Sequence, residues 1–167
     1  CKACKRECPT GVDMARMKIE VMAARARSHG HSLHDKLVAH LPRYAPWLSR
    51  VRWLANMRNT IPGPARLSES LTGFSAKRGL PVWADKPFRE HDTVGDGKRD
   101  VVLLADTFNS WFEPENLRAA RTVLTAAGYR VHLAQQPEQS GKQKLCCGRT
   151  YLATGMVDLA KAEAQRM

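Results

Sequence analysis

Three cysteines at the start of the chain have the spacing of an iron–sulfur ligand set. Cys1 and Cys4 are separated by two residues, Cys4 and Cys8 by three, and Pro9 follows. A cubane cluster presents several iron atoms that each need a thiolate, and the run C-x2-C-x2-C-x3-C-P supplies them. We therefore predict that Cys1, Cys4 and Cys8 are ligands of 4Fe-4S clusters.

The chain begins inside this run, at what would be its second cysteine, and without a methionine. In two-cluster proteins, the cysteine before the proline binds the neighbouring cluster. We therefore expect Cys1 and Cys4 to bind one cluster and Cys8 to bind another, with the missing ligands upstream. This predicts that the chain is a C-terminal fragment of a longer protein.

Zinc and disulfide bonds are the alternatives for these cysteines. Zinc sites usually combine two C-x2-C pairs or add histidines at fixed distances. His29, His31 and His34 follow the motif, but a second C-x2-C pair does not. Five cysteines is an odd number, and adjacent Cys146 and Cys147 would make an awkward bridge. We favour iron–sulfur ligation in a reducing, cytoplasmic setting.

Cys146 and Cys147, followed by Gly148, form a second candidate metal site. They precede a helical pattern over residues 152–167, and a helix N-terminus stabilises thiolates. In an open α/β sheet such a site lies at the carboxyl edge of the strands. Asp106 leaves the first predicted strand at that edge, so we expect the two segments to converge. The alternative is that both cysteines pack as small apolar residues.

A helix is predicted directly after the first cysteines. Asp13 is a candidate N-cap and Gly30 ends the pattern. An apolar stripe at helical spacing is expected to pack in a core rather than to insulate a cluster. Its members are Met14, Met17, Val21 and Ala24.

The middle of the chain is predicted to contain short helices followed by an irregular segment. Residues 32–60 suggest two short helices broken near Pro42 and Pro46. Prolines and glycines predict an irregular segment over residues 61–98, although Trp83 and Phe88 suggest that part of it packs on a surface.

From residue 99 the pattern is strand, helix, strand, loop, helix. The apolar run over residues 101–104 predicts a strand buried on both faces. A helix opens near Pro114 and is capped by Gly128, and residues 129–133 form the second strand. This order implies a parallel sheet with a right-handed crossover.

Positive charge is concentrated beside the first cysteines. The formal net charge is +11, and residues 1–60 carry 12 basic and 4 acidic side chains. Such a surface attracts an acidic redox partner, anionic lipid headgroups or nucleic acid, although a solvated face is the simplest interpretation. We expect no nucleic-acid partner, because neither an RNA-binding aromatic motif nor zinc-finger spacing is present.

Several separated segments together resemble one family. The start of the chain is similar to the second cluster motif of long FAD-linked oxidases, and later segments to their helical connector and to the first half of their cysteine-rich CCG domain. The family includes D-lactate, glycolate and D-2-hydroxyglutarate dehydrogenases. Glycerol-3-phosphate dehydrogenase C subunits and heterodisulfide reductase subunits share the CCG domain. The segments are, in order, 1–15, 40–43, 53–56, 106–108, 112–115 and 146–149.

The resemblance implies an α+β protein in three parts. Residues 1–31 would be the end of a 4Fe-4S ferredoxin-type helical module, truncated at its start. Residues 32–98 would be a helical and then irregular connector. Residues 99–167 would be the first half of a CCG domain with an α/β parallel sheet.

The resemblance also implies an electron path. FAD, in a preceding portion or a flavoprotein subunit, would oxidise a 2-hydroxy acid. Electrons would pass through the clusters of Cys1, Cys4 and Cys8 towards the CCG domain, and on to a quinone or protein acceptor. Cys146 and Cys147 would hold a further cluster or zinc. The setting would be cytoplasmic, with peripheral association at the inner face of the membrane left open.

Two other functions stay open. The chain could be the iron–sulfur subunit of a multi-subunit dehydrogenase or heterodisulfide-reductase-like complex, or a basic binding module that holds structural zinc. In each case we do not expect this chain to catalyse substrate oxidation alone, because it shows no flavin site and no acid–base dyad.

Overall fold

The computed structural model describes residues 3–134 and 145–167. These residues form ten α-helices, one short 3-10 helix and two strands. The elements in chain order are α1 Ala3–Glu7, α2 Met14–His29, α3 Leu33–Ala39, α4 Leu41–Leu48, the 3-10 helix Ser49–Val51, α5 Arg52–Thr60, α6 Pro62–Thr72, β1 Arg99–Leu103, α7 Thr107–Trp111, α8 Pro114–Ala126, β2 Tyr129–Leu133, α9 Arg149–Ala153 and α10 Val157–Arg166.

The chain divides into two compact units that do not follow its linear order. The first unit combines Cys1–Leu41 with Cys147–Gln165, and the second combines Pro42–Cys146 with Arg166–Met167. The helices that follow the first cysteine motif therefore share a unit with the helices that follow the second.

Helix α2 forms as its caps predict, but the face that is partly covered is not the predicted methionine-containing stripe. The Asp13 side chain accepts a hydrogen bond from the backbone N–H of Arg16, and Gly30 ends the helix. No α2 side chain is buried, and the expected core stripe is exposed, with Met14 at 54%, Met17 at 51% and Val21 at 65%. The prediction of core packing was therefore wrong. The partly covered face lies beside it and contains Ala15, Ile19, Met22, Ala23 and Ala26.

The core of the first unit joins segments far apart in sequence. Ala39 from the end of α3 packs with Tyr151, Met156 and Ala160. The Thr150 hydroxyl donates to the backbone carbonyl of Ala39 at 2.9 Å. The pattern over residues 152–167 suggested one continuous helix, but the structure has two, because the chain turns at Gly155 with φ +76°.

Three helices, rather than two, occupy most of residues 33–60. A break near Pro42 is confirmed, since α3 ends at Ala39 and α4 begins at Leu41. The expected break at Pro46 is wrong, because Pro46 lies inside α4. The helical path changes three residues later, where the Ser49 hydroxyl donates to the Pro46 carbonyl at 2.9 Å.

The segment expected to be irregular contains helix α6. Pro62 occupies the first turn, where its missing N–H costs nothing, and Gly73 closes the helix in the left-handed conformation. Proline and glycine there mark the ends of a helix rather than its absence. The expected packing of Trp83 and Phe88 is confirmed, because they are only 7% and 1% exposed.

Arg58 fastens α5 to the chain that follows it. Its side chain is buried, and its guanidinium donates four hydrogen bonds of 2.6–3.2 Å, three of them to backbone carbonyls. Because these donors satisfy carbonyls outside regular structure, Arg58 holds α5 and α6 against the next loop. The acceptors are the Ser68 hydroxyl and the carbonyls of Phe74, Ser75 and Arg78.

The second unit contains a parallel two-stranded sheet, as the strand–helix–strand pattern predicts. Strands β1 and β2 pair from Arg99 with Tyr129 to Leu103 with Leu133, and α8 connects them. The core on this sheet contains Phe88, Leu117 and Leu133. The prediction that β1 is buried on both faces was wrong, because Val102 is 67% exposed. The mixed helical and parallel-strand architecture is confirmed at that level.

No helix in residues 3–134 or 145–167 combines the length and apolar character that a bilayer crossing needs.

Candidate metal centre

Cys8 lies at the first position of a tight turn after α1. The backbone N–H of Gly11 donates to the carbonyl of Cys8 at 3.0 Å. Pro9 supplies the fixed φ that the second position of such a turn favours, and Gly11 has φ +68°. The turn brings the Thr10 hydroxyl oxygen to 3.1 Å from the Cys8 sulfur. The sequence that follows the motif therefore folds a polar donor back onto the thiol.

The donors around this sulfur favour its thiolate form. The Thr10 hydroxyl lowers the pKa of Cys8 most, followed by the backbone N–H groups of Val12, Thr10 and Gly11. Only the thiolate binds iron, and hydrogen bonds to ligand sulfurs tune iron–sulfur potentials. The donor set at Cys8 therefore fits a cluster ligand.

The other two cysteines of the motif are less fully described. Cys4 is a residue of helix α1, which ends at Glu7, directly before Cys8. Cys1 lies outside the described residues. The Lys5 ammonium reaches the Asp13 carboxylate at 3.5 Å, so α1 is tied to the N-terminal cap of α2. The joint ligation of one cluster by Cys1 and Cys4 stays a prediction.

Cys146 and Cys147 lie directly before α9, as predicted, but in different environments. Cys146 is buried at 5% exposure, whereas Cys147 is exposed. Gly148 precedes α9 with φ +69°, and a Cβ there would lie 3.1 Å from the carbonyl oxygen of Ala160. Glycine therefore lets the chain pass close to α10. Of the two thiols, Cys147 is the one that solvent reaches.

The carboxylate of Asp106 makes local contacts. It caps α7 by accepting from the backbone N–H groups of Phe108 at 2.9 Å and Asn109 at 3.2 Å. It also accepts from the Asn109 side-chain amide. Its convergence with the second cysteine pair stays a prediction.

In the part of the chain that the structure describes, no three side chains of His, Cys, Asp or Glu come together as a metal-binding group. Of the histidines considered for zinc, His29 has a local partner, since its Nδ1 lies 2.7 Å from the Ser28 hydroxyl.

The first unit also holds a groove that sequence reasoning missed. Its volume is about 810 Å³, and α2, α3 and α10 contribute to its walls. Three lysine or arginine side chains and two carboxylates line its walls, so its formal charge is slightly positive. The charged and titratable residues that line it are Glu20, Arg27, His31, Lys36, His40, Asp158 and Lys161.

A search of protein-family models, of characterised proteins and of solved structures finds no match for this chain.

Replacing Thr10 with valine should slow the alkylation of Cys8 at neutral pH. The variant loses the hydroxyl that contributes most to the lowered pKa of Cys8, so the midpoint of its pH–rate profile should move upward. Iodoacetamide labelling of metal-free protein, mapped by mass spectrometry, measures this. Thr60→Val is the matched control, because the Thr60 hydroxyl bonds only locally, to the Met57 carbonyl. An unchanged Cys8 profile in Thr10→Val would contradict the assignment.

Proposed function

We propose that this chain is the electron-transfer segment of an FAD-dependent 2-hydroxy-acid dehydrogenase, with Cys1, Cys4 and Cys8 as ligands of 4Fe-4S clusters. The observation that carries the proposal is the Cys8 turn, which brings the Thr10 hydroxyl to 3.1 Å from the sulfur of a C-x2-C-x3-C-P run, where it and nearby backbone N–H groups lower the pKa of Cys8. When bound, the clusters would supply one-electron carriers between flavin and acceptor.

The residues around the motif suit an anionic centre. Thiolate-ligated clusters carry negative charge, and charge and hydrogen bonding near the sulfurs set their potential. Arg6 lies in α1 between Cys4 and Cys8 and is exposed, whereas the neighbouring Lys5 pairs with Asp13. The role of Arg6 would be to stabilise added negative charge near the ligands and to attract an acidic partner surface.

The second cysteine pair, Cys146 and Cys147, would hold either the next cluster in the electron path or a zinc ion. Cys147 is exposed and could take part in ligation from the surface, whereas Cys146 would have to ligate from the interior. The proposal places FAD on a preceding portion or a flavoprotein subunit and leaves a quinone or a protein as acceptor. It places the protein in the cytoplasm and leaves peripheral association at the inner face of the membrane open. The same geometry suits an iron–sulfur subunit of a multi-subunit dehydrogenase.

The experiment follows electrons through the whole gene product. With a 2-hydroxy acid as donor, stopped-flow absorbance separates flavin reduction from reduction of an artificial quinone. Cys4→Ala and Cys8→Ser should abolish quinone reduction while flavin reduction continues at its normal rate, because the flavin does not depend on these thiolates. Ser28→Ala, on the surface of α2, is the control. Quinone reduction at the normal rate in both cysteine variants would refute the relay.

A further inference from the structure

Two tryptophans of the second unit are left outside its core. Trp47 and Trp53 are each 68% exposed, whereas Trp83 and Trp111 of the same unit are 7% and 3% exposed. Leu54 and Val51 beside them are 50% and 41% exposed. We call Trp47, Val51, Trp53 and Leu54, with Arg43 and Arg50, the tryptophan face. Large apolar groups that are exposed close together in sequence are candidates for an interaction site.

In α4 and the 3-10 helix, two small residues are buried while two large apolar residues of the face are exposed. Ala45 is fully buried and Ser49 is 2% exposed, one helical turn apart, while Trp47 and Val51 project to solvent at the same spacing. Part of the apolar surface of α4 and the 3-10 helix is therefore exposed instead of packed in a core, whereas the buried residue of α5 is Arg58.

The face is held rigidly from behind. The Asn56 side chain accepts from the backbone N–H of Trp83 at 2.8 Å and donates to its carbonyl at 3.0 Å. Arg52 pairs with Asp85 at 3.0 Å, and Arg58 makes its four hydrogen bonds from the buried side. Because α5 is anchored in this way, Trp53 and Leu54 cannot turn inward without breaking these contacts.

Basic side chains predominate in the sequence around the face, although Arg52 is paired with the exposed carboxylate of Asp85. Residues 36–68 contain six basic side chains and no acidic one. Arg43 and Arg50 are exposed, and the Arg50 guanidinium lies 4.6 Å from the centre of the Trp47 ring. This contact is a cation–π pair, so the aromatic surface carries its own positive charge.

Tryptophan with arginine and aliphatic side chains on short amphipathic helices is the chemistry of a bilayer interface. Tryptophan favours the headgroup level, and each arginine near an anionic leaflet adds a favourable electrostatic contribution. Val51 and Leu54 are aliphatic and do not stack on nucleobases, but they fit the boundary between headgroups and acyl chains. We propose that the tryptophan face binds the surface of an anionic bilayer, with its apolar side chains at the headgroup–acyl boundary and Arg43 and Arg50 on the phosphates. The inference does not depend on the redox role.

Vesicle flotation tests this inference with the whole gene product. Vesicles of phosphatidylcholine alone are compared with vesicles of equal parts phosphatidylcholine and phosphatidylglycerol. We expect binding to the anionic vesicles, weakened by salt, and a blue shift of tryptophan emission. The double variant Trp47→Ser/Trp53→Ser should lose about tenfold or more in affinity. Val102→Ser/Val123→Ser is the matched control, because both valines are similarly exposed on other elements.

A second pair of variants tests the charge. Arg43→Glu/Arg50→Glu should remove the preference for anionic vesicles, whereas Lys77→Glu/Lys98→Glu, with the same change of net charge at other exposed positions, should retain most of it. The proposal is overturned by absence of vesicle binding, or by binding that survives in the tryptophan variant. It is equally overturned if the tryptophans are instead required for binding an oligonucleotide or for self-association.

Discussion

Replacing Gly155 with alanine is expected to lower the free energy of unfolding of the first unit by about 2–5 kcal/mol. Gly155 has φ +76°, where a Cβ is strained. The added Cβ would also lie 2.6 Å from the backbone nitrogen of Ala23 and 2.6 Å from the carbonyl carbon of Met22. Backbone atoms cannot move aside as a side-chain end can, so α2 must separate from the turn between α9 and α10.

Gly30→Ala provides a matched control for this substitution. Gly30 also has a positive φ, +75°, with ψ −178°, but no atom lies within 4 Å of its Cβ position. It should therefore show only the conformational cost of a side chain in this glycine region, about 1–3 kcal/mol. Urea denaturation of both variants measures the difference. Equal losses of stability would contradict the close approach between α2 and the α9–α10 turn.

The elements that local signals determine could be predicted from sequence. Asp13 and Gly30 bound α2, and Pro114 and Gly128 bound α8, because caps and helix-end residues act within a few positions along the chain. Helix α6 could not be predicted, because Pro62 and Gly73 indicate breaks in structure as readily as the two ends of a helix.

The partners of these elements could not be predicted. Apolar spacing on α2 indicated a helix, but two neighbouring stripes satisfy that spacing, and the methionine-rich one is exposed. Packing of α3 on α9 depends on contacts such as that of Thr150 with Ala39, which are 111 residues apart. Nothing in the local pattern around either residue indicates that contact.

The candidate site divides in the same way. The Cys8 turn is formed by Pro9, Thr10 and Gly11, which directly follow Cys8 in sequence, so it depends on local signals. The difference in burial between Cys146 and Cys147 arises from tertiary packing, since neighbouring residues with the same side chain give no sequence signal that separates them.

The largest effect on function is expected from loss of a cluster ligand. Cys4→Ala and Cys8→Ala should each remove about one cluster, because an iron without its thiolate is open to water and oxidant. Ser28→Ala is again the control. The whole gene product and its variants are purified without oxygen, so that loss of cluster reflects the missing ligand and not air oxidation.

Iron and acid-labile sulfide content, with electron paramagnetic resonance after dithionite reduction, is the most direct measurement of the central claim. The account predicts a coloured protein with about four irons and four sulfides per cluster, and a loss of about one cluster in each cysteine variant. A colourless protein with bound zinc and no sulfide would contradict it, as would a full iron and sulfide content in both Cys4→Ala and Cys8→Ala.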